Sequence, residues 1–271
     1  MAEKRSKQKK RRKSWGPGSV ILLLIAIGVF GFSLYQLAMM LLPYHEGRSE
    51  YNDIRDLAIV MSDEATIVGE DGEIRPQHFI DFDVLKQVNS DTVAWIRFDN
   101  PEIISYPVVH SRDNEEYLTR TFSHNSNRLG AIFLDMDNSP SFTDPNTFIY
   151  GHNMRFGGDM FSQLIEFEDV NFFNENPYFY IYTPDGLVRT YRIFAARTLN
   201  ERDPQYQLHF VDDEDFSAYL EMSRRNSLHQ REGMTLTHHD RIVSLSTCTN
   251  VRQDQRFLLQ GVLVEERPLF D

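Results

Sequence analysis

One cysteine, one histidine and one arginine stand at the ends of predicted strands, and together they could support acyl transfer through a thiol. Cys248 closes the segment IVSLSTC, His152 follows the segment TFIY, and Arg256 opens the segment RFLLQGVLV. Acyl transfer of this kind needs a thiolate nucleophile, a proton donor for the leaving amine and hydrogen-bond donors for the developing oxyanion. Neighbouring cationic groups also favour the thiolate. The three residues are therefore catalytic candidates, and Arg252 in the same loop competes with Arg256.

A mainly β domain must position these residues. Eight segments rich in Val, Ile, Phe and Tyr are bounded by Asn, Asp, Gly or Pro, which is typical of short strands. They cover residues 93–98, 106–110, 130–135, 147–150, 178–183, 188–199, 242–247 and 257–264. Eight strands with turn signals between them predict a closed or nearly closed barrel.

Helical patterns flank and interrupt the predicted strands. Apolar residues at helical spacing predict a stalk helix at 46–61, and the spacing of Gly and Pro predicts a turn-rich connector at 66–77. A short helix is expected at 81–88, with Asp81 as its N-cap. Residues 212–230 open with DDED and carry one apolar face, so they predict an amphipathic helix inserted before the cysteine strand.

The N-terminal part of the chain has the composition of a membrane anchor. Residues 20–42 contain no charged side chain, and as a helix they would span about 34 Å, enough to cross a hydrocarbon core of about 30 Å. A cleaved signal peptide is the alternative, but its apolar stretch would be shorter and would precede a small-x-small cleavage site. The basic cluster KKRRK before this segment should remain cytoplasmic, which places the C-terminal body outside the cell.

Charge and cysteine content narrow the classes of function. Residues 1–13 hold eight of the 28 Lys and Arg residues, whereas the rest of the chain holds 39 of the 40 Asp and Glu residues. An acidic body is not expected to bind nucleic acid, because phosphate affinity comes mainly from Lys and Arg. A single cysteine cannot form a disulfide within the chain, and an extracellular thiol that persists without one suggests a use.

Several motifs around the candidate residues resemble the class B sortases. The two site motifs are YGHNM at 150–154 and LSTCT at 245–249, with Arg256 eight residues after the cysteine. Four further segments resemble that family in order and spacing, namely VAWI at 93–96, ISYPVV at 104–109, DNEEYL at 113–118 and GAIFLD at 130–135. The similarity runs from about residue 82 to the C-terminus. Ser244-Leu245 stands where many relatives carry Thr-Leu.

This resemblance implies an eight-stranded sortase barrel with N-terminal helices, preceded by one transmembrane helix. The expected organisation is a basic cytoplasmic head, a transmembrane anchor, a stalk with a helix and a catalytic domain, at 1–19, 20–42, 43–80 and 81–271. The family mechanism makes His152, Cys248 and Arg256 catalytic. Ser246 is a candidate for positioning substrate, and an ordinary strand residue is the alternative.

The expected partners follow from the same resemblance. The thiolate would attack the Thr carbonyl of a C-terminal sorting motif in a secreted protein. An amine of a cell-wall peptide, or of a pilin-like subunit, would then resolve the thioacyl-enzyme.

The sequence supports other functions less well. An L,D-transpeptidase also orders His before Cys, but it has Gly directly before the cysteine, where this chain has Thr247. An anchored scaffold with an inert cysteine is a second alternative. His238, His239 and Asp240 could suggest a metal site, yet no second cluster at ligand spacing accompanies them. We therefore expect no metal and no cofactor.

Overall fold

The computed structural model describes residues 16–68, 74–102, 104–154, 157–231, 233–249 and 254–269. Its chain divides into two compact units between Leu42 and Pro43. Within the described ranges the α-helices are α1 (Pro17–Ala58), α2 (Phe82–Val88), α3 (Val170–Glu175) and α4 (Asp213–Arg225). Two 3₁₀ helices lie at Glu116–Leu118 and Ser162–Glu168.

Ten strands form two sheets in this part of the chain. They are β1 (Ile59–Val68), β2 (Ile74–Ile80), β3 (Thr92–Phe98), β4 (Ser105–Val109), β5 (Ile132–Leu134), β6 (Asn146–Tyr150), β7 (Tyr178–Tyr182), β8 (Leu187–Asn200), β9 (Ile242–Cys248) and β10 (Gln255–Pro268). The strands β3 to β10 close a barrel in the order β10-β8-β7-β3-β4-β5-β6-β9. All eight predicted strands are therefore confirmed, and so is the closed barrel.

The barrel contains two parallel pairings among otherwise antiparallel ones. β4 pairs with β5 in parallel, and β6 pairs with β9 in parallel. Parallel neighbours end at the same edge of a sheet, so the chain leaving β6 and the chain leaving β9 emerge side by side. Large apolar side chains with almost no exposure fill the interior, including Trp95, Phe148 and Phe179.

The two predicted helices at 81–88 and 212–230 are confirmed, and so is the predicted cap Asp81. The Asp81 side chain accepts a hydrogen bond from the Val84 backbone N–H, which caps α2. The inserted helix α4 is capped in the same way by Asp212, and its apolar face packs on β8, β9 and β10 through residues such as Phe216 and Tyr219. The helix ends at Arg225, five residues before the predicted end at Gln230.

Two predictions for the N-terminal region need correction. The anchor and the stalk helix, predicted separately, belong to one helix that runs from Pro17 to Ala58, after which β1 begins. The predicted connector at 66–77 instead enters an antiparallel β1–β2 pair, although residues 69–73 lie outside the described ranges. In the sequence, Pro76 favours a turn, and this is why the strand pair was not predicted. Both members of a two-stranded sheet are edge strands, and edge strands tolerate proline.

The described part of the chain contains one helix, α1, that is long and apolar enough to cross a membrane. Residues 1–15 of the predicted basic head at 1–19 lie outside the described ranges.

Candidate active site

Cys248 and Arg256 face each other across one pair of strands. β9 ends at Cys248, β10 begins at Gln255, and the antiparallel register places Arg256 directly opposite Cys248. Side chains at opposite positions of an antiparallel pair project from the same face of the sheet. The cysteine is partly exposed. The register therefore sets a guanidinium beside a solvent-accessible thiol, as the strand ends in the sequence suggested.

His152 reaches the same place through the parallel pair of β6 and β9. Tyr150 lies opposite Ser246 in this pair, and the Gly151 backbone N–H donates to the Ser246 carbonyl at 3.2 Å. The chain beyond β6 thus follows the end of β9. His152, Cys248 and Arg256 line a single pocket of about 330 Å³, together with Asn114, Leu118, Phe133, Tyr150, Gly151, Ser246 and Thr247.

Backbone groups hold the His152 ring. Its Nε2 lies 2.7 Å from the Leu118 carbonyl oxygen. Because a carbonyl can only accept, Nε2 carries the hydrogen and Nδ1 is the ring nitrogen left to exchange a proton. On another side of the ring, a Cβ added at Gly130 would come within 2.9 Å of His152 Cδ2 and 2.5 Å of the Tyr117 carbonyl oxygen. Gly130 also has a φ of +62°, so both space and backbone conformation require glycine there.

Asn153 links the histidine segment to the cysteine. Its side-chain Nδ2 donates to the Cys248 carbonyl oxygen at 2.7 Å. This bond joins the residue after His152 to the end of β9, so the two segments are fixed relative to each other. Sequence reasoning gave Asn153 no role, although it belongs to the YGHNM motif.

Ser246 lies at the pocket with its hydroxyl already partnered. Its Oγ is 2.7 Å from the Tyr206 hydroxyl oxygen, and the residue is buried. Burial raises the pKa of Tyr206 to about 12, against the opposing effect of the bond to Ser246. The tyrosine is therefore neutral at physiological pH and can donate or accept in this pair.

Arg256 carries a carboxylate partner that the sequence did not suggest. Its Nη2 donates to Glu201 Oε2 at 2.7 Å, and Nη1 donates to the Gln255 carbonyl at 3.2 Å. The ion pair is partly exposed, at 24% for the Arg256 side chain and 41% for that of Glu201. A guanidinium has five N–H donors, so it can hold a carboxylate and still offer donors elsewhere. The competing candidate, Arg252, lies outside the described residues.

A hydrogen-bonded group formed by Tyr150, Asp135 and Asn114 lies on another side of the pocket. The Tyr150 hydroxyl donates to Asp135 Oδ2 at 2.8 Å, and Asn114 Nδ2 donates to the same oxygen at 3.0 Å. Burial raises the pKa of Tyr150, and the negative charge of Asp135 raises it further. Tyr150 therefore presents a protonated, orientated ring to the pocket.

The structure adds three residues to the predicted set, namely Asn153, Glu201 and Tyr206. Glu201 and Tyr206 lie between β8 and α4, far in sequence from the residues they contact, and only the barrel register brings them to the site. Among the residues that the structure describes, no group of three or more His, Cys, Asp or Glu is arranged to hold a metal ion.

Comparisons of the sequence with protein families and with known proteins both match sortases. A family model described as a Sortase domain matches residues 98–264. Sortase B of Listeria monocytogenes is 31% identical over 246 residues, which cover 90% of this chain and 95% of that protein.

Solved structures extend the likeness to three dimensions. The crystal structure of Clostridium perfringens sortase B is 33% identical with a TM-score of 0.65, and the match covers 68% of this chain and all of that one. A Bacillus anthracis protein described as similar to sortase B is 29% identical with a TM-score of 0.67, over 83% of this chain and 98% of that one. The similarity thus includes both the sequence and the barrel architecture.

Proposed function

The chain belongs to the sortase family as a class B sortase, a cysteine transpeptidase, and from this premise we propose that Cys248, His152 and Arg256 are its catalytic residues. The observation that carries the proposal is the register of β9 and β10, which sets Arg256 opposite Cys248 in a pocket that His152 also lines. The substrate would be a secreted protein with a C-terminal sorting motif, cleaved after Thr.

The first half-reaction breaks the substrate peptide bond. The Cys248 thiolate attacks the Thr carbonyl carbon, and a C–S bond forms as the carbonyl oxygen takes up negative charge. The tetrahedral intermediate then expels the amine, and protonated His152 gives its Nδ1 proton to the leaving nitrogen. The C-terminal fragment departs, and the acyl group remains on Cys248 as a thioester.

The second half-reaction transfers the acyl group to an amine. The acceptor nitrogen, from a cell-wall peptide or a pilin-like subunit, attacks the thioester carbonyl and loses a proton to His152. The C–S bond breaks, an amide forms, and Cys248 leaves as the thiolate beside a protonated His152. The enzyme thus returns to its starting protonation state.

Arg256 and Ser246 would bind the substrate during both steps. The Arg256 guanidinium donates to the carbonyl oxygen, where charge develops, and Glu201 holds the guanidinium in place. Ser246 lines the pocket, and its hydroxyl shares one hydrogen bond with the Tyr206 hydroxyl. Because either hydroxyl can be the donor, the pair can offer a donor or an acceptor to a backbone group of the substrate.

The peptide reaction is tested directly by mixing the enzyme with a library of sorting-motif peptides and hydroxylamine. Hydroxylamine is a small nucleophile that captures a thioacyl-enzyme, so we expect hydroxamates that end at Thr, identified by mass spectrometry. Replacing hydroxylamine with a cell-wall peptide amine should give the transpeptidation product. Absence of any acyl transfer across the library would contradict the proposed substrate class.

We also propose that the protein is anchored in the cell membrane by residues 20–42, with a cytoplasmic N-terminus and an extracellular catalytic domain. The support is the uncharged segment within α1 and the basic cluster that precedes it. Protease added to intact cells should remove the body and spare the N-terminus. Release into the medium of a body that lacks the anchor would favour a signal peptide instead.

We expect Arg256→Lys to lose much of kcat/KM, on the order of 10²-fold, which is the loss typical of one oxyanion donor. An ammonium group cannot reproduce the planar fork that could donate to Glu201 and to a carbonyl together. Steady-state kinetics on one peptide provide the measurement.

Two variants serve as controls for this loss. Arg97 forms an equally short ion pair with Asp99, at 2.6 Å and 19% side-chain exposure, and it does not line the pocket, so Arg97→Lys should leave kcat/KM almost unchanged. Arg252→Lys should remain within a few-fold of the wild type, since Arg252 lies mid-loop in the sequence. A larger loss in Arg252→Lys than in Arg256→Lys would transfer the role to Arg252.

A further inference from the structure

We propose that the part of α1 between Pro43 and Ala58 positions His152 for catalysis, with Tyr51 and Arg48 as the positioning residues. The inference rests on the proposed role of His152 and adds a part of the chain that the sequence predicts to be a stalk. Two contacts carry it. Each joins a side chain of this helix to one of the two segments that hold the histidine.

The first contact joins Tyr51 to Gly130, the residue that packs against the His152 ring. Tyr51 is 2% exposed, and its hydroxyl donates to the Gly130 carbonyl at 2.7 Å. The same oxygen accepts the Phe122 backbone N–H at 3.1 Å. The hydroxyl thus uses its donor and an acceptor site on two backbone groups of separate loops, and it fixes the position of Gly130.

Gly130 is in direct van der Waals reach of the histidine. The space for a Cβ at Gly130 is occupied by His152 Cδ2 at 2.9 Å and by the Leu118 carbonyl oxygen at 3.1 Å. That same carbonyl oxygen accepts the hydrogen bond from His152 Nε2. A shift of Gly130 would therefore disturb both the ring packing and the bond that holds Nε2. Tyr51 acts on the histidine through this glycine.

The second contact runs from Arg48 to the segment that follows His152. Arg48 binds Asp159 through two parallel bonds, Nε to Oδ1 at 3.0 Å and Nη2 to Oδ2 at 2.7 Å. Asp159 is 3% exposed, so its carboxylate is almost fully enclosed. Its neighbours Gly158 and Met160 both have positive φ, which makes this a turn with a defined path.

The residues that follow this turn contact the backbone of His152 and Asn153. The Phe161 N–H donates to the His152 carbonyl at 3.0 Å, and Met160 forms a bridge with Asn153. Asn153 in turn donates to the Cys248 carbonyl. Arg48 therefore stabilises the segment that fixes His152 relative to the nucleophile. Tyr51 thus acts on the side chain of His152, through Gly130, and Arg48 acts on the backbone of His152, through the turn at Asp159.

The test uses the full-length protein in detergent micelles and the variants Tyr51→Phe and Arg48→Gln. Active sites are counted by alkylation of Cys248, so kcat refers to folded enzyme only. We expect each variant to lose kcat on the order of tenfold with KM within about twofold, because displacement of a catalytic group by a fraction of an ångström slows the chemical step. The His152 ring signal in ¹³C-histidine NMR, identified by its loss in His152→Ala, should shift in both variants.

Matched controls separate positioning from general stability. Tyr180→Phe removes a part-buried hydroxyl bond to Asp99, and Arg189→Met removes a buried guanidinium paired with Glu266. Arg189 lies at the opposite end of β8 from Leu199, the residue that faces Arg256. Both controls should leave kcat per active site and the His152 signal unchanged, even where the melting temperature falls.

The outcomes are distinct from those that test the proposed function. Unchanged kcat in both helix variants, or a loss of kcat with no shift of the His152 signal, would overturn the positioning role. Wild-type enzyme that transfers no peptide would contradict the proposed function, yet the NMR comparison would still decide whether Tyr51 and Arg48 hold the ring.

Discussion

Cys248→Ala is expected to lose both cleavage and transfer to the level of the uncatalysed background. The proposed chemistry has one nucleophile, and without the thiol no thioacyl-enzyme can form for either half-reaction. Alanine fits the strand position, because Cys248 is the last residue of β9 and partly exposed, so the barrel should remain folded. Hydroxamate formation from a sorting-motif peptide measures the loss.

The single cysteine of the chain makes a sharp control available. Cys248 is the one thiol available to iodoacetamide, so intact-mass spectrometry under mild labelling should show one adduct on the wild type and none on Cys248→Ala. Alkylation and loss of activity should follow the same time course. An inert scaffold would show a thiol that reacts slowly, and a Cys248→Ala protein that still transfers peptide would contradict the whole mechanism.

The eight barrel strands could be predicted from sequence because each one is specified locally. Segments such as β3 and β7 combine β-branched and aromatic residues with flanking turn residues, and these signals do not depend on the rest of the chain. The predicted cap Asp81 is equally local, since its side chain accepts from a backbone N–H three residues ahead. The positions of His152 and Cys248 at strand ends follow from the same patterns.

The partners of the site residues could not be predicted in this way, because they depend on strand register and on contacts between distant segments. Glu201 meets Arg256 only because β8 and β10 pair antiparallel, with Leu199 opposite Arg256. Tyr206 and Ser246 are separated by 40 residues. A glutamate or a tyrosine in a polar segment carries no local sign of such a partner.

For the helix before the barrel, too, the sequence predicts the element but not its contacts. Its periodicity predicts a helix, and the structure confirms one through Ala58. Periodicity alone does not say what the buried face of Tyr51 and Ile54 packs against. The bond from Tyr51 to Gly130 spans 79 residues of sequence, so the proposed link between this helix and the histidine becomes visible only in three dimensions.

His152→Ala is expected to reduce kcat/KM by roughly 10²–10⁴-fold, the range typical of lost general acid–base catalysis. Without the imidazole, the leaving amine must depart unprotonated and the acceptor amine must lose its proton to solvent. Both half-reactions therefore slow, and the thioester should accumulate if its resolution slows more than its formation. Rapid-quench mass spectrometry of the Cys248 acyl adduct, together with steady-state kinetics, measures the two steps separately.

Chemical rescue and a matched histidine distinguish this role from a structural one. The pocket of about 330 Å³ leaves room for free imidazole in place of the missing ring, so added imidazole should restore part of the activity of His152→Ala. His229 provides the control, because its Nε2 also lies within hydrogen-bond distance of a backbone carbonyl oxygen, that of Glu168 at 2.9 Å, and it does not line the pocket. His229→Ala should keep kcat/KM within a few-fold of the wild type and gain nothing from imidazole. If His152→Ala retained wild-type kinetics, or if His229→Ala showed the larger and imidazole-dependent loss, the acid–base role would not belong to His152.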